Sequence, residues 1–182
     1  MTSAVFGHGG PWTEEEYLAL GETPERVELL DGGLLLSAAG SLRHQAVLGR
    51  ISEILATVAH GADPHVLTAV NVRLRPGRIV IPDLVITGQV DLDELVVDAA
   101  AVRLVCEITS PGDAAADKVL KMHYYATAHI PWYLLVEQET GTLHLYRLRD
   151  GHYAEESVAK PGETLHLTEP VEATLRPEAL LP

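Results

Sequence analysis

The chain has 182 residues, of which 47% are hydrophobic and 21% are charged, an ordinary balance that excludes wholesale disorder and suits one domain with a sizeable core. The formal net charge of −13 opposes binding of nucleic acid through bulk charge, so a nucleic-acid site would need a local basic patch or a metal. The single cysteine, Cys106, excludes an intramolecular disulfide and a CxxC metal knuckle.

The first residues of the chain carry no basic region followed by an apolar run, so they predict no signal peptide. No apolar run in the sequence is long enough to span a bilayer, so no membrane partner is expected. We therefore expect a cytoplasmic protein with a flexible tail over residues 1–12 and a single domain over residues 13–182.

The first third of the chain predicts a short helix, a hairpin and a long helix. Thr13 followed three residues later by Glu16 is the pattern of a capping box at a helix start. Asp31-Gly32 is a strong hairpin signal between two apolar segments. Ser41 can cap the long helix, in which apolar residues recur at helical spacing. The predicted elements are a helix over 13–20, strands over 26–30 and 34–37, and a helix over 41–59.

The rest of the chain predicts mainly strands, with one further helix. The acidic segment 90–100 is ambiguous and predicts a loop that can include a helical turn. Together with the first helices, these strands predict an α/β fold in which a mixed β-sheet is flanked by helices. The predicted elements are strands over 66–74, 79–81, 84–87 and 102–109, a helix over 113–128, strands over 132–137 and 143–148, and two or three short edge strands over 153–182.

Two of these apolar strands each carry one carboxylate. Asp83 follows Pro82 at the start of a strand, and Glu107 lies among apolar residues in the next one. A buried acid is costly unless it meets a cation or a proton. Carboxylate oxygens suit Mg²⁺ or Mn²⁺, and such an ion lowers the pKa of its bound water. The alternatives are that Asp83 caps a turn and that Glu107 pairs with an arginine.

A cationic partner for these acids could come from the following helix, which carries Lys118 and Lys121. Lys121 shares a helix face with Asp117 and Tyr125, which lie four residues before and after it. The alternative for Lys121 is an exposed ion pair with Asp117, which would contribute little. A separate basic run, Arg73, Arg75 and Arg78, could grip phosphates or form a solvated turn.

The order of these motifs resembles the Uma-type endonuclease family of the PD-(D/E)XK, or restriction-endonuclease-like, superfamily. In the usual superfamily pattern a lysine stands two residues after the glutamate, where this chain has Thr109. The resemblance places the lysine on the following helix instead. The segments that carry the resemblance are 26–32, 41–45, 80–85, 107–111, 117–121 with Tyr125, and 130–136.

The resemblance implies a restriction-endonuclease-like fold with Asp83 and Glu107 as ligands of Mg²⁺ or Mn²⁺ and Lys121 as the catalytic lysine. It also places Glu28 near the same cleft, as a further ligand or a base that positions water; the alternative for Glu28 is a surface strand acid. His44, at the start of the long helix, either faces this site or is simply half-buried.

Two functions follow from these residues. One is a metal-dependent nuclease that hydrolyses phosphodiester bonds, with DNA as the expected nucleic acid. The other is a catalytically inactive module of the same fold that binds nucleic acid or protein, as Thr109 in the usual lysine position would allow. Because strand 132–136 and the C-terminal segments offer pairing surface, a homodimer is also expected.

Overall fold

A computed structural model of the chain describes residues 9–182 apart from 22, 24, 60–63 and 110–114, and of residues 115–118 it describes only the backbone. Most of the predicted tail therefore lies outside the described residues. The same holds for the predicted start of the second long helix at 113 and for the side chains of Asp117 and Lys118.

The three predicted helices are present close to their predicted ranges. The capping box is present, because the Thr13 side chain accepts a hydrogen bond from the Glu16 amide while Glu16 accepts one from the Thr13 amide. Among the described residues, no helix is long and apolar enough to cross a membrane. The helices are α1 (Glu14–Leu18), α2 (Leu42–Val58), α3 (Ala115–Thr127) and α4 (Pro177–Leu180), with a 3₁₀ turn at Ala99–Ala101.

The strands that the structure describes form two mixed sheets and a small pair. The strands are β1 (Arg26–Leu30), β2 (Gly33–Ser37), β3 (His65–Thr68), β4 (Val72–Arg75), β5 (Arg78–Val80), β6 (Leu84–Thr87), β7 (Val97–Asp98), β8 (Val102–Thr109), β9 (Trp132–Glu137), β10 (Leu143–Arg149), β11 (His152–Ala159), β12 (Leu165–Leu167) and β13 (Ala173–Leu175). The six-stranded sheet has the order β11-β10-β9-β8-β6-β3, the five-stranded sheet has the order β2-β1-β5-β4-β7, and β12 pairs with β13. Parallel pairs, β8 with β9 and β4 with β7, make both larger sheets mixed. The predicted α/β class is therefore confirmed.

Both faces of the six-stranded sheet are buried at its centre, along β6, β8 and β9, and alternation along these strands decides which residues each face carries. One face packs against α2, and the other packs towards α3 and the five-stranded sheet. The first face carries Leu84, Leu104, Cys106 and Leu134, which cluster with Val47, Ile51 and Leu55 of α2. The second face carries Val85, Val105 and Leu135, which cluster with Tyr125 of α3 and with Val72 and Val80. By the same alternation, Asp83 and Glu107 belong to the second face.

Three expectations about the elements are wrong. The single strand over 66–74 is two strands, β3 and β4, which belong to different sheets. Ala69 lies between them at a positive φ of 52°, and its amide donates to the Asp83 carbonyl, so the chain turns from one sheet to the other. The acidic loop includes a short strand, β7, and the C-terminal segment ends with a helix, α4.

The strand over 132–136 offers no pairing surface for a second chain. It lies within β9, which is hydrogen-bonded to β8 on one side and to β10 on the other. All but the last residue of β9 are also buried. The prediction that this strand contributes a dimer edge is therefore wrong.

Candidate active site

A cleft of ≈ 410 Å³ lies at the end of β6 and β8 where the two carboxylates emerge. Leu84 pairs with Cys106 in these antiparallel strands. Asp83, which precedes Leu84, and Glu107, which follows Cys106, therefore lie at the same end. All four predicted site residues line this one cleft. Its lining includes Asp83, Glu107, Glu28 and Lys121, together with Arg26, His44, Thr109, Tyr133 and Gln138.

Asp83 is buried, with 3% of its surface exposed, and is surrounded by donors. Its Oδ1 accepts from Arg26 Nη1 at 2.8 Å and lies 3.5 Å from His44 Nε2, while its Oδ2 accepts from the Ile108 amide at 2.8 Å. Burial acts to raise the pKa of Asp83, but the His44 hydrogen bond and the charge of Arg26 outweigh it and hold the pKa well below its ordinary value. Asp83 is thus a carboxylate, held by the neighbouring strand rather than capping a turn.

Glu107 is the second buried acid of the cleft, with 5% of its surface exposed. Its Oε1 accepts from the Tyr125 hydroxyl at 2.5 Å and lies 3.5 Å from Lys121 Nζ. Burial raises the pKa of Glu107 to about 7, against the lowering effect of the Lys121 charge and with a further increase from Asp83. Its described partners are therefore a tyrosine and a lysine, not an arginine.

Glu28 and Lys121 complete the predicted set. Glu28 is 3% exposed, and its Oε1 accepts from the Ile81 amide at 2.7 Å, so it is not a surface acid. The Lys121 side chain is 23% exposed and reaches into the cleft beside Glu107. Tyr125 is four residues from Lys121 on α3, which puts both side chains on the face that meets Glu107.

Sequence reasoning gave no role to two residues of the cleft, Arg26 and Gln138. Arg26 stands two residues before Glu28 on β1, so strand alternation already placed both on one face. Gln138 is 5% exposed, and its Oε1 is buried without a hydrogen-bond partner among the described residues. No local signal marks Gln138, because it follows β9 by one residue in an ordinary turn.

The basic run does not supply free charge for phosphates. The guanidinium carbon of Arg78 lies over the ring of Tyr124, 3.8 Å from the ring centroid. Acids from distant parts of the chain already neutralise all three arginines, so the interpretation as a phosphate grip loses its basis. The ion pairs are Arg73 with Glu14 and Asp98, and Arg75 and Arg78 with Asp31.

The donor set fits a hard divalent cation that keeps part of its water. Within the described ranges, no three or more His, Cys, Asp or Glu side chains gather as a ready-made metal cage. Mg²⁺ does not need one, because it is commonly bound by one or two carboxylates and several waters. Asp83 and Glu107 would be the protein ligands, and Glu28 is a third acid in the same cleft.

Glu107→Gln is expected to stabilise the metal-free protein at neutral pH. The pKa of Glu107 rises from 4.5 to about 7 on folding, so wild-type stability from this group is greatest below pH 4.5 and is lost as pH rises towards 7. The variant lacks this loss and should be more stable by a few kcal/mol above about pH 7. Urea unfolding of both proteins in EDTA, from about pH 5 to pH 8, measures the difference. If the free energies of unfolding of the two proteins differ by the same amount at every pH in this range, the raised pKa of Glu107 is contradicted.

Taken together, the mixed sheets, the flanking helices and the paired acids define a restriction-endonuclease-like α/β domain. The Uma2 family model, described as "putative restriction endonuclease", matches residues 14–178. The chain therefore belongs to the Uma2 family, which confirms the resemblance found in the sequence.

One solved structure supports the same fold. A crystal structure of a protein from Anabaena variabilis, described as a "putative nuclease belonging to DUF820", is 15% identical and superposes with a TM-score of 0.70, covering 93% of this chain and 97% of that chain. At this identity the likeness shows the fold alone. A cryo-EM structure of a DrdV–DNA complex is only distantly similar, with a TM-score of 0.38 at 15% identity over 65% of this chain and 11% of that chain. No curated protein matches the chain.

Proposed function

We propose that this protein is a metal-dependent nuclease that hydrolyses phosphodiester bonds in DNA. One observation carries the proposal. Asp83 and Glu107, from neighbouring strands, and Lys121, from a helix, converge on one cleft in which Glu28 supplies a third acid. Membership of a family described as restriction endonucleases supports the same activity.

The chain's own groups have distinct tasks in this reaction. A Mg²⁺ or Mn²⁺ ion held by Asp83 and Glu107 would supply an activated water and offset the charge of the phosphate. Asp83 is ionised throughout the working range, whereas Glu107 must first release its proton to become a ligand. The Lys121 ammonium, 3.5 Å from Glu107 Oε1, is placed to stabilise the charge that develops on the phosphoryl oxygens.

Glu28 is the proposed acceptor for the proton of the attacking water. Its Oε1 is fixed by the Ile81 amide, which orients the carboxylate within the cleft. A base held by a backbone donor loses little freedom when it accepts a proton or aligns water.

A second candidate function is an inactive module that only binds nucleic acid. Thr109 occupies the position where the superfamily usually carries its lysine, and an arginine already neutralises Asp83. These two features favour binding without chemistry. They do not affect the fold, so only an activity measurement separates the candidates.

The test is cleavage of plasmid DNA, single-stranded DNA and RNA by the purified protein, with Mg²⁺, Mn²⁺, Zn²⁺ or EDTA. The nuclease proposal expects cleavage of DNA with Mg²⁺ or Mn²⁺, less with Zn²⁺ because every candidate ligand is a hard oxygen donor, and none with EDTA. Asp83→Asn serves as the control for a contaminating nuclease. Binding of these substrates without cleavage under any metal would favour the inactive module.

We also propose a homodimer, formed through β2 rather than β9. β2 is the edge strand of the five-stranded sheet, and Leu35 and Leu36 on it are 41% and 43% exposed. Light scattering at tens of micromolar protein should give about twice the monomer mass of 19.7 kDa, and Leu36→Glu should reduce it towards the monomer. A wild-type mass equal to the monomer would contradict the proposal.

A further inference from the structure

Arg26 lines the cleft and has no task in the proposed reaction. Its Nη1 donates to Asp83 Oδ1 at 2.8 Å, but Nε and Nη2 are buried without a hydrogen-bond partner among the described residues. A buried donor without an acceptor costs free energy, and a ligand that binds in the functional state is one way to supply the acceptor.

The unpaired donors have a geometry that suits one class of ligand. Nε and Nη2 form one edge of the planar guanidinium, and this edge matches two oxygens of a phosphate or carboxylate. Arg26 lines both the cleft and a second cavity of ≈ 550 Å³ beside it. Asp83 and His44 also line both. The side chain is 25% exposed while Nε and Nη2 themselves are buried, so an oxyanion meets that edge only after the guanidinium shifts away from Asp83.

Arg26 donates to the oxygen of Asp83 that is the more open to a metal ion. Asp83 Oδ1 accepts from Arg26 and faces His44, while Oδ2 is occupied by the Ile108 amide. A divalent cation bound to Oδ1 would stand within a few ångströms of the guanidinium, where like charges repel strongly in a partly buried site. A metal ion on Oδ1 would therefore weaken or displace the hydrogen bond from Arg26 to Asp83.

We propose that Arg26 exchanges partners during the reaction. In the metal-free protein it neutralises Asp83, and once a divalent cation holds Asp83 it donates to non-bridging oxygens of the nucleic-acid phosphate. This role rests on the proposed function, because the phosphate is that of the nuclease's substrate. Arg26 is thus a substrate-binding residue that also tunes the affinity for the metal.

The first part of the test measures Mn²⁺ binding by calorimetry in the absence of nucleic acid. Arg26→Gln should bind Mn²⁺ about tenfold or more tightly than the wild type, because no charged hydrogen bond has to break. Arg103→Gln, which removes an exposed arginine from β8, is the matched control and should bind like the wild type. Thermal unfolding of each variant verifies that it is folded. Equal or weaker Mn²⁺ binding by Arg26→Gln would overturn the exchange.

The second part measures binding of labelled duplex and single-stranded DNA by fluorescence anisotropy, with Ca²⁺ in place of Mn²⁺ to keep the DNA intact. Arg26→Gln should bind the DNA about tenfold more weakly. The slope of log affinity against log salt concentration should become shallower by the amount that corresponds to about one phosphate contact. Arg26→Lys should keep the salt slope but lose part of the affinity, because lysine cannot form the two-donor contact. Arg103→Gln should again match the wild type.

The outcomes separate this inference from the proposed function. If the wild type cleaves DNA while Arg26→Gln keeps full DNA affinity, the phosphate contact is wrong and the nuclease stands. If the wild type neither binds nor cleaves nucleic acid, both fall. If the wild type binds no Mn²⁺, there is no exchange, and the metal-dependent mechanism falls with it.

Discussion

Lys121→Met should lower metal-dependent cleavage about a hundredfold or more while the protein stays folded. The ammonium lies 3.5 Å from Glu107 Oε1 and points into the cleft, where negative charge develops on the phosphoryl group. Removing one donor from such a site typically costs two to three orders of magnitude in rate. Methionine keeps the apolar stem of lysine, so packing on α3 is preserved.

The pH dependence of cleavage by Lys121→Met shows whether Lys121 acts on Glu107 or directly on the phosphate. The Lys121 charge lowers the pKa of Glu107, so its loss should move that pKa further above 7. If Lys121 acted only by keeping Glu107 ionised, the activity of Lys121→Met would recover at higher pH. Direct action on the phosphate predicts that the loss persists at every pH.

Two matched lysine variants control this measurement. Lys160→Met removes an exposed lysine outside the cleft and should keep full activity. Lys118→Met, on the same helix as Lys121, should keep most of its activity, as its position on the helical wheel predicts. A fully active Lys121→Met enzyme, or equal losses from Lys118 and Lys121, would show that the assignment is wrong.

Asp83→Asn should lower the rate of cleavage by about a thousandfold or more and should also destabilise the folded protein. The neutral amide is a poor ligand for Mg²⁺ and leaves the partly buried Arg26 charge without its partner. Breaking a fully buried ion pair costs about 3–5 kcal/mol, and the 25% exposure of Arg26 reduces the expected loss to about 1–3 kcal/mol. Urea unfolding in EDTA measures this loss apart from any metal.

A double-mutant cycle isolates the cause. Arg26→Gln in the Asp83→Asn background removes the uncompensated charge, so the double variant should recover part of the lost stability. Cleavage should stay absent in the double variant, because the metal ligand is still missing. Unfolding curves of Asp83→Asn that match the wild type would contradict the ion pair.

The sequence predicts those parts of the structure that local chemistry decides. Residues adjacent in the chain determine the capping box at Thr13 and the two-residue turn at Asp31-Gly32. Asp31 and Gly32 both have a positive φ. The spacing of Lys121 and Tyr125 on α3 likewise follows from the local sequence. Asp83 and Glu107 were predictable as a pair because two apolar strands in succession each carried one acid.

Contacts between distant segments explain what the sequence did not reveal. Arg26 meets Asp83 across 57 positions, and alternation along β1 gives its face but not its partner. The arginines of the basic run are neutralised by Glu14, Asp31 and Asp98, none of which adjoins them in the chain. The break at Ala69 has no local signal, because an alanine at positive φ is held there by tertiary structure.

The central claim is that Asp83 and Glu107 together hold a divalent metal, and calorimetric titration with Mn²⁺ tests it most directly. At about pH 8, above the pKa of Glu107, the wild type and Lys160→Met should each show a saturable site. Asp83→Asn and Glu107→Gln should each lose it while remaining folded. A wild type that binds no Mn²⁺, or variants that bind it as tightly as the wild type, would contradict the account.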